Sequence, residues 1–457
     1  MTMIHKFKYK EDYFILDVAS GAIHVVDQNI YDMIDEESLK DRDYYIQKFK
    51  SKTDTNIICE CYDELKKLQE EGSLYSNDTY TNDIVKKYEA QPNSVKSLCL
   101  NIAHDCNLMC KYCFADGEGY DDQEKLMPLE VAKRSVDFLI AHSGSRKNLE
   151  VDFFGGEPLL NMDVVKKTVE YAKSLEKQHN KHFRFTITTN STLLNEEIMD
   201  YLEHNMINIV LSIDGRKKVH DNIRITKNKK GSYDMILPKI QKMVEKRHQS
   251  HKQYYIRGTF TSNNLDFSED VKHFIDLGFK EISIEPVVLP ADHELAIQEN
   301  HLEQIFKQYD IICDELIKHK DVIFYHFNIN IYGGPCIYKR ISGCGAGFDY
   351  VAVTPDGDIF PCHQFVGNKD FYLGNVFEGK TNQTIATSFK ELHIYNKPEC
   401  KNCWARFFCS GGCQANHYNF NRDFKIPYSI ACQMQKKRIE CAIALQYYRN
   451  NNISEVK

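Results

Sequence analysis

The 457-residue sequence has no excess of positive charge: 58 Lys and Arg stand against 65 Asp and Glu, a formal net charge of −7. Phosphate backbones are bound by basic faces, so no nucleic-acid partner is expected. No apolar run approaches the roughly 18 residues of a membrane span, so no membrane is expected either. The opening residues, Met1-Thr-Met-Ile-His-Lys-Phe-Lys, contain no apolar stretch of the secretory kind, which points to the cytoplasm. Cysteine, by contrast, is abundant, with 16 in the chain. Without an export signal, that number speaks for reduced thiols and metal sites rather than disulfides.

Three of the thiols fall in eight residues, Cys106-Asn-Leu-Met-Cys110-Lys-Tyr-Cys113, spaced C-x3-C-x2-C. A cubane [4Fe–4S] cluster normally takes four cysteine thiolates. A set of three leaves one iron open to a substrate or cofactor. Structural zinc prefers four closed ligands, usually as two separated pairs, and buried core cysteines need no such spacing. An iron–sulfur cluster is therefore expected here. Exposed clusters degrade in oxygen, so the expected cytoplasm is anaerobic or strictly reducing.

A second group of cysteines lies near the C-terminal end. Cys344 is followed by twelve residues, Gly357, four residues and Cys362; then come Cys400-x2-Cys403-x5-Cys409-x3-Cys413, and Cys432. Two zinc ribbons would need other spacings. Cys99, Cys313 and Cys441 lie on apolar patterns and read as core. Cys59 and Cys61 read as core or surface thiols.

Taken in order, residues 13–19 and 22–27 read as two strands joined by Ser20-Gly21. Helical patterns follow at 29–35, 43–50 and 56–71, the last with Ile57, Cys61, Leu65 and Leu68 on one face and Gly72 as its stop. Residues 74–93 read as a polar linker with a helical turn or two. Six strands are expected at 97–103, 149–155, 183–189, 208–214, 254–261 and 281–288, with amphipathic helices between them such as 128–143 and 163–177. Alternating strands and helices imply a parallel sheet with helices outside. Three strand ends carry polar motifs: Phe154-Gly155-Gly156-Glu157-Pro158, Thr188-Thr189-Asn190-Ser191-Thr192, and Ser212-Ile213-Asp214-Gly215 with Arg224 downstream. Paired glycines let backbone approach a ligand closely. Arg224 reads either as a ligand contact or as a surface ion pair with Asp221.

The cysteine loop, with Tyr112 before its last cysteine and a GGEP motif one strand later, resembles the signature of radical S-adenosylmethionine (SAM) enzymes. The resemblance implies an α/β fold: a partial (β/α)6 barrel over residues 94–320. It also implies that SAM chelates the open iron and is split to a 5′-deoxyadenosyl radical that abstracts hydrogen. Tyr112, Gly155, Gly156, Glu157, Pro158, Thr188, Asn190, Ser212 and Arg224 would then form the cofactor site. Relatives often carry glycine where Ser191 stands. The seven C-terminal cysteines resemble the SPASM extension, here residues 321–457, which holds two auxiliary [4Fe–4S] clusters and brings the expected total to three. By that resemblance Cys344, Cys362 and Cys413 hold the first, and Cys400, Cys403, Cys409 and Cys432 hold the second. Cys336 either closes the first cluster or is a loop thiol; in the latter case a substrate cysteine can take the open iron. Residues 1–80, a hairpin and three helices before a linker at 81–93, resemble the winged-helix-like domain that binds leader peptides.

Residues 98–119, from Leu98-Cys-Leu-Asn-Ile-Ala onward, are similar to maturases of the small cysteine-rich SCIFF peptides. That similarity implies thioether formation, from a cysteine sulfur to carbon, in a ribosomally made peptide with a leader. Replacing a C–H and an S–H by a C–S bond removes two electrons; hydrogen abstraction removes one, and an auxiliary cluster can accept the other. A low-potential donor such as flavodoxin or ferredoxin is an implied partner. Related sulfatase maturases carry a catalytic aspartate where His363 follows Cys362. Other SPASM chemistry (carbon–carbon crosslinking or sulfatase maturation) is the alternative, and a non-catalytic iron–sulfur peptide scaffold is the alternative of another class.

Overall fold

The computed structural model describes residues 3–35, 37–113, 125–331 and 337–451. The chain opens with a three-stranded antiparallel sheet, β1 (Ile4–Tyr9), β2 (Asp12–Asp17) and β3 (Ile23–Val26), in that order. The sequence reading missed β1, whose lysines interrupt its apolar positions. Three helices follow, Gln28–Met33, Arg42–Phe49 and Thr55–Glu70, each begun by an aspartate. Asp27, Asp41 and Asp54 accept from backbone N–H groups of the first turns, satisfying donors the helix leaves free. In the third helix Ile58 is buried, whereas Ile57, expected inward, is 42% exposed. The stripe through Cys61 and Leu65 continues at the i−3 position rather than i−4.

The expected polar linker is largely an eleven-residue helix, Tyr80–Ala90. Val85 and Tyr88 are buried in the main core. Lys390 donates to the carbonyls of Glu89 and Gln91, tying this helix to the C-terminal segment.

The large sheet is built from β4 (Ser97–Ala103), β6 (Asn148–Gly155), β7 (His182–Thr189), β8 (Asn208–Ser212), β10 (Gln253–Phe260), β11 (Glu281–Pro286), β12 (Ile323–Phe324), β13 (Tyr350–Val353), β14 (Asp358–Phe360) and β15 (Gly374–Asn375). Two short strands, β5 (Leu108–Cys110) and β9 (Arg224–Thr226), pair apart from it. The spatial order is β12-β11-β10-β8-β7-β6-β4-β13-β14-β15. Every pair from β12 to β13 is parallel, and β14 and β15 are added antiparallel. The six expected strands are all present. The sheet also gains β12 at one end and β13 beside β4, so its strands cross the boundary placed at residue 320.

One parity of each strand packs under the helices: Tyr254, Ile256 and Phe260 of β10, for example, are buried. Burying one such apolar side chain contributes about 1.5–3 kcal/mol. The other parity faces the interior, which sets Asp152, Arg257, Thr259 and Glu285 towards the space the sheet encloses. The C-terminal helix Ser429–Asn450 lies on Leu302–Lys318, where Arg438 donates to the Tyr309 hydroxyl at 2.8 Å. Cys99, Cys313 and Cys441 are fully buried core residues.

Candidate active site

At the C-terminal ends of the parallel strands lies a cavity of about 680 Å³, whose lining includes Cys106, Cys110 and Cys113 together with His363 and Gln364. That is the size of a small-molecule cofactor pocket. Its position matches the catalytic face of parallel barrels.

The cysteine loop is held there by backbone. Gly156 N donates to the Ala103 carbonyl at 2.7 Å, and Glu157 N to that of Asp105 at 2.9 Å. A side chain on Gly155 would collide with the Ala103 carbonyl, and one on Gly156 with that of Asp105. The paired glycines therefore make room for the loop that carries Cys106, rather than for a ligand alone as the sequence reading had it. Strand β5 then pairs with β9, setting Cys110 opposite Arg224.

Glu157 is fully buried and does not line the cavity. Its carboxylate accepts from Leu159 N at 3.0 Å, Thr189 Oγ1 at 2.7 Å and Asn190 N at 2.8 Å. Burial pushes its carboxyl up to about 7 against those donors. Glu157 thus fastens the β7 end from outside the cavity lining, and Pro158, buried at the start of the turn Pro158–Asn161, lies outside the lining as well. Asn190 Nδ2 donates to Asn107 Oδ1 at 2.9 Å and lies 3.6 Å from Cys106 Sγ. Ser191 adopts φ of 67°, the left-handed conformation that suits glycine, so the backbone turn survives the substitution.

Thr188, Asn190, Ser212 and Arg224 all line the cavity. Arg224 pairs with the buried Asp214 at 3.0 Å, not with Asp221, which accepts from Tyr233 N. The Tyr112 hydroxyl donates to the same Asp214 carboxylate at 2.8 Å. Arg224 stands 5.6 Å from the Tyr112 ring centre. Burial pushes the Cys110 thiol up, and Arg224 opposes this by favouring the thiolate. Sequence reading missed Asp214, Arg257 and Glu285 as site residues. The signal was there for the last two: a charge at an inward position of an otherwise apolar strand.

The C-terminal cysteines fall into two neighbourhoods. Cys362 has Cys413 and Cys344 as neighbours, while Cys432 has Cys409, Cys400 and Cys403. Among the described residues no three ligating side chains crowd a point the size of one ion; a cubane of four irons and four sulfides spans more. Cys336 lies outside the described residues. The turn at Pro355-Asp356-Gly357 joins β13 to β14, placing Cys362 at the sheet's end and His363 in the cavity wall.

A profile of the radical SAM superfamily matches residues 100–252, and one of the SPASM iron–sulfur cluster-binding domain matches residues 344–404. A protein of Methanocaldococcus jannaschii named only as uncharacterized MJ0907 is 30% identical, over 69% of this chain and 97% of its own. The chain belongs to the radical SAM superfamily. Another relative is a cysteine-type anaerobic sulfatase-maturating enzyme of Clostridium novyi, 25% identical over 70% of this chain and 89% of its own. The fold is shared with native anSMEcpe bound to AdoMet and the Cp18Cys peptide (TM-score 0.61, 22% identity, 78% of this chain and 99% of that one). It is shared too with Streptococcus suis SuiB bound to precursor peptide SuiA (TM-score 0.51, 15% identity, 92% and 97%).

Proposed function

We propose that this radical SAM protein is a maturase that joins a cysteine sulfur to carbon in a cysteine-rich precursor peptide. One observation carries the reading: the Cys106–Cys110–Cys113 loop and the residues directly after Cys362 wall a single cavity. Hydrogen removal and electron acceptance would then take place around one substrate. The two solved structures with peptides support a peptide or protein as the substrate class.

The residues present fit the groups the family implies. Cys106, Cys110 and Cys113 form a three-thiol set suited to a cluster with an open iron, and Gly155, Gly156, Thr188, Asn190, Ser212 and Arg224 would hold SAM above it. When bound, these groups supply a carbon radical that takes hydrogen from an unactivated C–H bond. The chain's own work is positional. Asp214, held by Arg224, anchors the loop through Tyr112, Asn190 anchors it through Asn107, and Val287 and Val288 add apolar wall to the cavity.

Sulfatase maturation is the second reading, and the named Clostridium relative supports it as directly. His363, in place of the aspartate those enzymes are expected to carry, weighs against it. Mass spectrometry of a cysteine-rich peptide from a neighbouring reading frame, after incubation with SAM and reductant, separates the two. Loss of two hydrogens with one thiol blocked to alkylation is the expected result. Loss of sulfur from cysteine would indicate sulfatase-type chemistry, and loss of two hydrogens with every thiol free would indicate a carbon–carbon bond.

A further inference from the structure

Lys397 is fully buried. Its Nζ donates to the Gly411 carbonyl at 3.0 Å and to Gln414 Oε1 at 2.8 Å, and lies 3.1 Å from His417 Nδ1. Gln414 Nε2 donates to the Leu392 carbonyl at 2.9 Å, which fixes the amide with its oxygen towards the lysine. His417 Nδ1 also faces the Phe424 carbonyl, at the longer distance of 3.3 Å; with the His417 proton on Nε2 it accepts from Lys397, and three acceptors meet three N–H donors, the complement of an ammonium. All three partners are neutral.

A buried ammonium with no counter-charge is strongly unfavourable. Burial pulls the Lys397 ammonium down to about 8, and the groups that most oppose this, as thiolates, are Cys400, Cys409 and Cys432 from one cysteine neighbourhood and Cys413 from the other. The Gly411 carbonyl it holds lies in the loop between Cys409 and Cys413, where the two neighbourhoods meet. The backbone there is specialised: Gly411 and Gly412 both have positive φ, 87° and 72°.

We propose that Lys397 is a positioning residue that serves as the shared counter-cation of both auxiliary cluster sites, stabilising their reduced forms and so making them better electron acceptors. The proposal rests on the reading that these cysteines hold clusters. The physical reason is Coulombic. A cluster that gains an electron becomes more negative, and a fixed positive charge in a dry interior favours that form far more than one in water would. A single cation between the two sites acts on both. The loop site at Cys106, Cys110 and Cys113 has a different charged neighbour, the Arg224–Asp214 ion pair beside Cys110.

The test is a redox titration of the reconstituted holoenzyme, followed by electron paramagnetic resonance, with iron counted per chain. Lys397→Met removes the charge and keeps the length; Lys397→Arg keeps the charge. The expected result is full iron in Lys397→Met, both auxiliary signals reduced at more negative potential, and the loop cluster unmoved, with Lys397→Arg close to wild type. Loss of auxiliary iron in Lys397→Met but not in Lys397→Arg also supports a role for the charge. Wild-type potentials in a fully loaded Lys397→Met protein would overturn the proposal. So would loss of auxiliary iron in both variants, which would make hydrogen-bond geometry, not charge, what the lysine supplies. A wild-type protein with iron only at the loop cluster would instead remove the cluster assignment, and the proposal with it.

Discussion

At the scale of single residues, the site stores its strain beside the cysteine loop. Ser191 is left-handed and buried, and its Oγ has no hydrogen-bond partner among the described residues. A left-handed non-glycine residue costs about 1–2 kcal/mol, and glycine would return part of that gain through the unfolded chain. Ser191→Gly is therefore expected to stabilise the protein by about 1 kcal/mol in urea unfolding. Glu157 sets the opposite case. Glu157→Ala strands three donors and is expected to cost about 3 kcal/mol or more, with Glu157→Gln costing less because the shape and an acceptor remain. Equal losses for the two would mean the carboxylate is not the clamp described. Asp152, inside the barrel, has a carboxyl pushed up to about 7 by burial, opposed by Arg257, and its Oδ1 has no hydrogen-bond partner among the described residues. Such an acid keeps its proton in the folded state after the unfolded state has lost it, so its contribution to stability falls as pH rises from the ordinary carboxylate range to about 7. Asp152→Asn removes that fall. Its stability relative to wild type should grow between about pH 5 and pH 8, and a constant difference would contradict the burial argument.

At the scale of elements, the barrel strands were legible because apolar runs bounded by helical patterns have few other solutions. The cysteine motifs were legible because metal ligation imposes spacing. What escaped was decided by packing. Strand β1 is interrupted by Lys6 and Lys8, yet His5 stacks on Trp404 at 3.6 Å and Phe7 and Tyr9 enter the main core. The helix Tyr80–Ala90 looks polar in sequence, yet Val85 and Tyr88 are buried in the main core, where Tyr88 meets Tyr338, Phe348 and His393. Ligand roles for Glu157 and Pro158 came with the motif; the contacts that turn Glu157 into a brace lie in another strand. Two expectations belong to elements. In the first sheet β3 is an outer strand without a buried side chain, which suits strand addition by a leader. Hydrogen exchange with a leader peptide should slow at Ile23–Val26, and unchanged exchange there would reject leader pairing at that edge. In the C-terminal segment metal binding and folding should be linked. Chelating the iron is expected to speed exchange across 344–432 while β6 to β8 stay protected, and uniform protection would show that these loops fold without metal.

At the scale of the molecule, the three parts are not separable pieces. Tyr9 bonds Asp314 at 2.9 Å, and Arg406 bonds Asp78 at 3.0 Å. Strand β13, from the cysteine-rich segment, extends the barrel sheet itself. Removing the first 75 residues would uncover the core as well as remove the leader-binding candidate, so edge-strand exchange is the cleaner probe of that domain. One cysteine loop is proposed to carry the radical chemistry while the seven C-terminal cysteines form separate cluster sites reaching the same cavity. Iron content and 5′-deoxyadenosine formation, measured together in wild type and in the Cys106→Ala, Cys110→Ala, Cys113→Ala triple variant, test it most directly. About twelve irons and SAM cleavage are expected in wild type, and about eight irons with no deoxyadenosine in the variant, at four irons per cluster. A triple variant that still cleaves SAM, or that loses all its iron, would contradict it.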